Sequence, residues 1–324
     1  MPEPDLLPLP PGGAAPDRLF WLEPETRVRL RAALWQADDP IGHVIFLSGR
    51  TEYLEKIAIP AAVFGELGYS VLSLDWRGQG LSSRQAEPSM KGHVGSFDEF
   101  QRDLDALLAS EAAAGLTGPR LFVCHSMGGC IGIHALSRPE IAKDVQAAIF
   151  SAPMLGIRMS APMRIAAWLT MRIGNLLGKS TSWPPFGDVS TPYVLTADAA
   201  DNVLTQDKGV FDWMAETARA HPEAMIAMPT HGWFSASGKA IRAARTLDAP
   251  DMPVLFLLGL DEMVVDADAV RAHAARTGSC LATVQNGKHE LLIEAEPIRH
   301  LAWKAITSFL DGNDLPQRNL DVSE

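Results

Sequence analysis

Short apolar runs recurring between longer helical stretches narrow most sharply what this chain can fold into. "HVIFLSG" (43–49), "YSVLSLDW" (69–76), "RLFVCH" (120–125) and "VQAAIFSAP" (145–153) each read as a buried strand. Between them lie "LEKIAIPAAVFGELG" (54–68), with Pro60 a local irregularity, then "SFDEFQRDLDALLASEAAAG" (96–115), then a helix from Met127. The second of these is amphipathic, with Ser96 as N-cap, Glu99 at capping-box spacing and Gly115 at its end. Apolar strands alternating with helices predict an α/β fold whose mostly parallel sheet is covered on both faces. "VRLRAALW" (28–35) alternates as an edge strand does.

The alternation stops near Pro153. From there to about residue 245 the chain is rich in Met, Trp, Pro and basic residues and offers helices but no convincing strand. It resumes with "MPVLFLLGLDEMV" (252–264), a helix near 266–277, "CLATVQNG" (280–287) and a last helix from Pro297 to Leu310. Residues 18–153 and 246–312 therefore read as one core, 154–245 as a helical cap inserted into it, 1–17 as a loose Pro/Gly-rich arm and 313–324 as a tail. A chain of 324 residues can bury such a core.

The net charge of −11 comes with no basic stripe, which argues against a nucleic-acid partner. Cys124, Cys130 and Cys280 form neither an even framework nor a CxxC pair. They point to a reducing compartment and no structural zinc, with Cys124 and Cys280 in apolar strand-like runs. "MPEPDLLPLPPGG" lacks the basic start and apolar stretch of a signal peptide, and no run reaches membrane-spanning length. The expectation is a cytoplasmic protein, with peripheral contact to the inner face of the membrane through the cap.

The strand at 120–125 breaks on Cys124-His125-Ser126-Met127-Gly128 and runs straight into a helix. That is either a tight turn or a serine nucleophile held in a strained elbow, and the flanking strand and helix suit the elbow. A serine hydroxyl needs a base, and the base needs an orienting acid, in the chain order Ser, acid, His. Asp261 stands just past the strand "LLGLDEMV", and His289 follows the next strand in "VQNGKHELLIE". All three fall at carboxyl ends of strands, where sites of open parallel sheets gather. Glu262 competes for the acid position but lies one residue deeper in the loop, so Asp261 is preferred. Asp266 and Asp268 read as helix N-terminal acids. Strand alternation aims His125 away from the nucleophile, and His231 and His273 read as structural. The oxyanion would be met by the N–H of Met127 and by that of Arg50, which follows Gly49.

With those residues in place the sequence resembles an α/β-hydrolase, and within it the lysophospholipase L2 and monoacylglycerol lipase group with its serine aminopeptidase S33-type domain. "SGRTEYLEK", "LDWRGQGLSSR" (74–84), "CHSMGG", "GLDEMV" and "GKHELLIE" carry the likeness over residues 20–310, with "PTHGWFSASGKAIRA" (229–243) at the cap exit. Cys124 stands where such elbows usually have glycine, and Ser48 where an oxyanion motif usually has histidine. The resemblance implies an esterase acting on a lipid, most narrowly a lysophospholipase, with no metal or organic cofactor. Asp75 and Arg77 are read as holding the turn at 75–80 by hydrogen bonds and an ion pair, without direct chemistry.

In the cap, apolar residues from Met163 to Leu177 cover most of a helix. The favoured reading packs this helix on the core. The sharper one makes it a lid whose Trp168 and Met171, with Trp233, accept an acyl chain while Arg164, Arg172 and Lys179 meet anionic headgroups. A peptidase would instead need an acidic group for the substrate's amine, for which Asp198, Asp201 and Asp207 are candidates. A non-catalytic binding module would not need the Ser, acid and His set.

Overall fold

Eight strands form a single sheet in the order β1-β2-β4-β3-β5-β6-β7-β8. The computed structural model describes residues 3–185 and 189–318, apart from the side chains of Ala161 and Trp168. The strands are β1 (Arg18–Glu25), β2 (Val28–Trp35), β3 (Gly42–Leu47), β4 (Tyr69–Leu74), β5 (Arg120–His125), β6 (Ala147–Ser151), β7 (Val254–Gly259) and β8 (Cys280–Val284). Those from β3 onward run parallel, and β2 joins β4 antiparallel. The predicted α/β architecture stands. The edge is β1, however, and "VRLRAALW" is an inner strand paired on both sides. Its buried Arg31 explains the apparent alternation, because that charge is neutralised inside the protein rather than by solvent.

The helices are α1 (Ala58–Glu66), α2 (Asp98–Leu108), α3 (Glu111–Ala114), α4 (Met127–Leu136), α5 (Pro139–Ala142), α6 (Ala161–Leu176), α7 (Lys208–Ala220), α8 (His231–Ala244), α9 (Ala267–Thr277) and α10 (Ile298–Asp311). The stretch read as one helix over 96–115 is two. Ser110 stops α2 and caps α3, its side chain accepting from the Ala113 N–H. At the front, Glu99 accepts from the Gly95 and Ser96 amides, while Ser96 Oγ accepts from the Asp98 N–H and donates to the Asp98 carboxylate.

The sheet divides two apolar layers. One packs β-strand side chains against α2, α4, α8 and α9, the other against α1 and α10. Between β6 and β7 the described chain is helical and adds no strand to the sheet. The amino-terminal arm is docked, contrary to expectation. Leu7 is buried beside Tyr53, Ile59 and Val210, and its N–H donates to Glu55. Trp213 of α7 donates to the Pro8 carbonyl, and Trp35 of β2 to that of Ala14. Carbonyls of the arm thus serve as acceptors, Pro8 for α7 and Ala14 for β2. Cys280 is exposed at the start of edge strand β8, not buried as its apolar neighbours suggested.

Candidate active site

Ser126 leaves β5 with φ 50° and ψ −115° and starts α4. A left-handed conformation at a residue with a side chain costs about 1–3 kcal/mol and persists only when its surroundings enforce it. Here the Ser126 N–H donates to Ser151, and its carbonyl accepts from Gly129 and Met154. A Cβ at 128 would lie 2.0 Å from the Leu47 carbonyl oxygen, so only glycine lets α4 approach β3 this closely. Cys124 fits in the place of the usual glycine because Gly132, one turn into α4, leaves room for its sulfur.

His289 Nε2 lies 3.0 Å from Ser126 Oγ, and its Nδ1 lies 2.8 Å from Glu262 Oε2. An ionised carboxylate only accepts, so Nδ1 carries the proton and Nε2 is free to take one. Burial pushes the His289 imidazole down, but Glu262, with its charge and hydrogen bond, and the charges of Glu290 and Glu52 outweigh it and hold the pKa above the ordinary histidine value. Burial likewise pushes Glu262 up. The charge and hydrogen bond of His289 and the Val264 and Val265 amides bring its carboxyl below the usual range.

Asp261, the expected acid, is not the partner of His289. Its amide donates to the Gly287 carbonyl and its side chain is exposed, whereas Glu262 is buried. The backbone past β7 bends so that position 262 faces the histidine loop, and the longer glutamate side chain spans the remaining distance. Its other oxygen accepts from Val264 and Val265 two and three residues on. Any acid followed by residues with free amides can close such a turn, Asp261 included, so the sequence held no signal that separates the two.

The loop after β3 is clamped from the turn after β4. Gln79 donates to the Gly49 carbonyl and accepts from the Thr51 N–H, and Trp76 donates to Ser48. Glu52 accepts from the Gly49 N–H. Asp75 and Arg77 hold their turn by hydrogen bonds and ion pairs, each to partners other than one another. Asp75 binds Arg31 and the Leu54 and Leu81 amides, and Arg77 binds Asp103, Glu25 and Glu99. Among the described residues, neither the Arg50 nor the Met127 N–H donates to a protein acceptor.

Behind His289 lies a second buried charge cluster. Lys56 Nζ stands 2.8 Å from Glu52 and 2.7 Å from Glu290. His125 donates through Nδ1 to the Ser151 carbonyl and packs its ring 4.8 Å from that of His289. Glu52, His125 and Glu290 have a spacing that could hold a metal ion, yet the Lys56 ammonium already supplies the positive charge between the two carboxylates. Burial alone would raise Glu290, but Lys56 and the neighbouring histidines bring it down to about 2.

Above Ser126 opens a cavity of about 930 Å³ lined by Met154, Met163, Met171, Met214, Trp233 and Phe234 among others. Of the three residues named as acyl-chain candidates, Met171 and Trp233 line this cavity, while the side chain of Trp168 lies outside the described residues. Helix α6 contributes Pro162, Met163, Ala166, Ala167, Thr170 and Met171 to this wall. Its other side is not packed on the core as favoured: Ile165, Leu169, Ile173 and Leu176 are exposed. Asp198, Asp201 and Asp207 do not reach the cavity. Asp207 caps α7 and Asp198 closes a turn. The lining carboxylate among the described residues is Glu290, bound to Lys56.

Residues 38–296 match the family described as serine aminopeptidase, S33. Lysophospholipase L2 of Escherichia coli (strain K12) is 30% identical over 291 residues, covering 85% of this chain and 82% of the relative. Probable lysophospholipase L2 of Haemophilus influenzae is 28% identical over 270 residues, covering 83% of each. In three dimensions the chain is similar to a soluble variant of monoglyceride lipase from Saccharomyces cerevisiae, with a TM-score of 0.68 at 16% identity, covering 93% of this chain and 97% of that one. A carboxyl esterase from Bacillus coagulans gives a TM-score of 0.69 at 16% identity, covering 91% and 98%.

Proposed function

The chain belongs to the serine aminopeptidase S33 family, with the α/β-hydrolase fold and an ester-cleaving activity, and from that premise we propose that it is a lysophospholipase. The observation that carries this reading is the apolar wall of the cavity around Ser126, whose described charged lining is Arg50, Lys56, Arg158 and Glu290. Such a chamber accepts one acyl chain and favours an anionic headgroup over a cationic amine. The lack of a free carboxylate among its described lining weighs against the aminopeptidase alternative.

In the proposed reaction His289, oriented by Glu262, takes the Ser126 proton as Oγ attacks the ester carbonyl. The Arg50 and Met127 amides meet the oxyanion, each worth about 3–4 kcal/mol of barrier by analogy with other hydrolases. His289 then returns the proton to the leaving glycerophospho-alcohol, and water releases the fatty acid by the same route. The exposed apolar side of α6, flanked by Arg164 and Lys179, fits peripheral contact with a membrane surface, from which such a substrate would be drawn. No helix among the described residues is long and apolar enough to cross a membrane. Three unpaired cysteines fit work in the cytoplasm, at the membrane's inner face.

The test is fatty-acid release from a long-chain lysophosphatidylcholine and the matching monoacylglycerol, side by side, with Ser126→Ala as control. Release from the lysophospholipid should be the faster, and the variant should lose it by a factor of about 10⁴ or more. Silence on both lipids with a short aryl ester still cleaved would sink the lipid reading and keep the hydrolase.

A further inference from the structure

Arg50 offers its amide to the oxyanion, yet its side chain is the more unusual part. Arg50 lines the chamber that holds Ser126 and His289, as does Trp233, on which its guanidinium rests. The guanidinium lies over that ring at 5.1 Å, and Nη2 donates to the Ala227 carbonyl at 2.6 Å. Nε is buried without a partner. A Cβ on Gly92 would fall 2.3 Å from Nη2, so the neighbouring loop leaves the space that the guanidinium fills.

Among the described residues no carboxylate pairs with it. The fully buried arginines are treated differently: Arg31 is matched by Glu55 and Asp75, and Arg77 by Asp103, Glu25 and Glu99. The other cations on the chamber wall are also accounted for. Lys56 sits between Glu52 and Glu290, and Arg158 is exposed and donates to the Glu262 carbonyl. Burial without a counter-charge pulls the Arg50 guanidinium down to about 9. A desolvated cation left unmatched in the free protein is costly, and the cost is recovered when an anion arrives.

We propose that the Arg50 guanidinium binds the phosphate diester of the substrate's headgroup, so that one residue grips both ends of the reacting glycerol. This rests on the lysophospholipase reading above. The two spans match in covalent length: the path from ester carbonyl carbon to phosphorus in a 1-acyl lysophospholipid has as many bonds as the path from the Arg50 amide nitrogen to its guanidinium carbon. A planar guanidinium against an apolar, aromatic wall is well suited to a phosphate monoanion. A fatty-acid carboxylate is the other anion the site could meet, and the experiment separates the two.

The measurement is kcat/KM on a lysophosphatidylcholine and on a monoacylglycerol of the same chain, for the wild type, Arg50→Met, Arg50→Lys and Arg158→Met. In Arg50→Met the lysophospholipid-to-monoacylglycerol ratio should fall about 10- to 100-fold, with Arg50→Lys recovering part of it, as expected for a buried charge pair broken on one side. Arg158→Met should move that ratio less than about threefold, its cation being solvated. Glycerophosphocholine should inhibit the wild type competitively and lose that inhibition in Arg50→Met, while decanoate inhibition should be unaffected. Equal loss on both substrates would make Arg50 a strut and overturn the proposal. So would a ratio that falls with Arg158 instead, or decanoate as the anion whose inhibition depends on Arg50. If the wild type leaves lysophosphatidylcholine intact, the lysophospholipase reading fails. Arg50-dependent inhibition of monoacylglycerol cleavage by glycerophosphocholine would then still decide whether this side chain takes phosphate.

Discussion

At the floor of the chamber, beyond the ends of β3, β5, β7 and β8, buried charge is set against buried charge. Lys56 is held at 2.8 and 2.7 Å by Glu52 and Glu290, and Glu262 holds His289 at 2.8 Å. At the roof, α6 turns Ile173 and Leu176 to solvent with 55% and 83% of their surfaces exposed. The floor is over-determined, because each charged group there has partners it cannot lose without stranding another. The roof is under-determined, because its outward side chains contribute little burial to the folded state. In the proposed reaction the groups that must be oriented thus lie in the part that resists change, and the entry for lipid in the part that tolerates it.

The floor is most vulnerable at its acid. Glu262→Ala should lower kcat by about 10³-fold, whereas Asp261→Ala should stay within about threefold, since only the first removes the group orienting His289. The reverse order would restore Asp261 as the acid. The pH profile sharpens the point. His289 must be neutral to act as base, so activity falls as pH drops through its raised pKa. Glu262→Gln removes the main charge raising it, so the acid limb of kcat/KM should move to lower pH.

Next in size is the cluster behind the histidine. Lys56→Met leaves Glu52 and Glu290 buried without their cation and should cost about 3–5 kcal/mol of stability in denaturant unfolding. A loss under about 1 kcal/mol would mean that the floor relaxes as readily as the roof.

On the roof's inner side, Met171→Asp should cut cleavage of a long-chain ester at least about tenfold more than that of a short aryl ester, by placing a charge in the acyl path. Equal losses would reduce this wall to packing. The smallest effect on folding belongs to its outer side. Ile165→Ser with Ile173→Ser should change stability by about 0.5 kcal/mol or less, while slowing hydrolysis of substrate presented in vesicles more than of dispersed monomer. A large destabilisation would show that α6 packs its outer side after all.

Much of the sheet could be read in advance because its strands are apolar on both faces and their helices carry their own periodicity. β1 escaped that reading: its residues are only partly covered, and "RLFWLEPE" lacks a buried-strand pattern. The amino-terminal arm escaped it too, because Pro and Gly signal missing helix and strand, not missing contacts. Ser126 and His289 were legible from a local motif and from chain order, each tied to its own strand end. The choice between Asp261 and Glu262 was not, since neighbouring acids differ only in which way the loop turns them.

The sequence alone determined the α/β architecture, the serine elbow and the histidine, all of which depend on patterns within a few residues or on fixed chain order. The tertiary structure decided what depends on approach between distant segments. It selected Glu262 by bringing the loops after β7 and β8 together, and it put Lys56 between Glu52 and Glu290 across more than 200 residues of chain. It also left Arg50 without a carboxylate in an apolar chamber. Pairing of charges is a property of space, and separation along the chain says almost nothing about it.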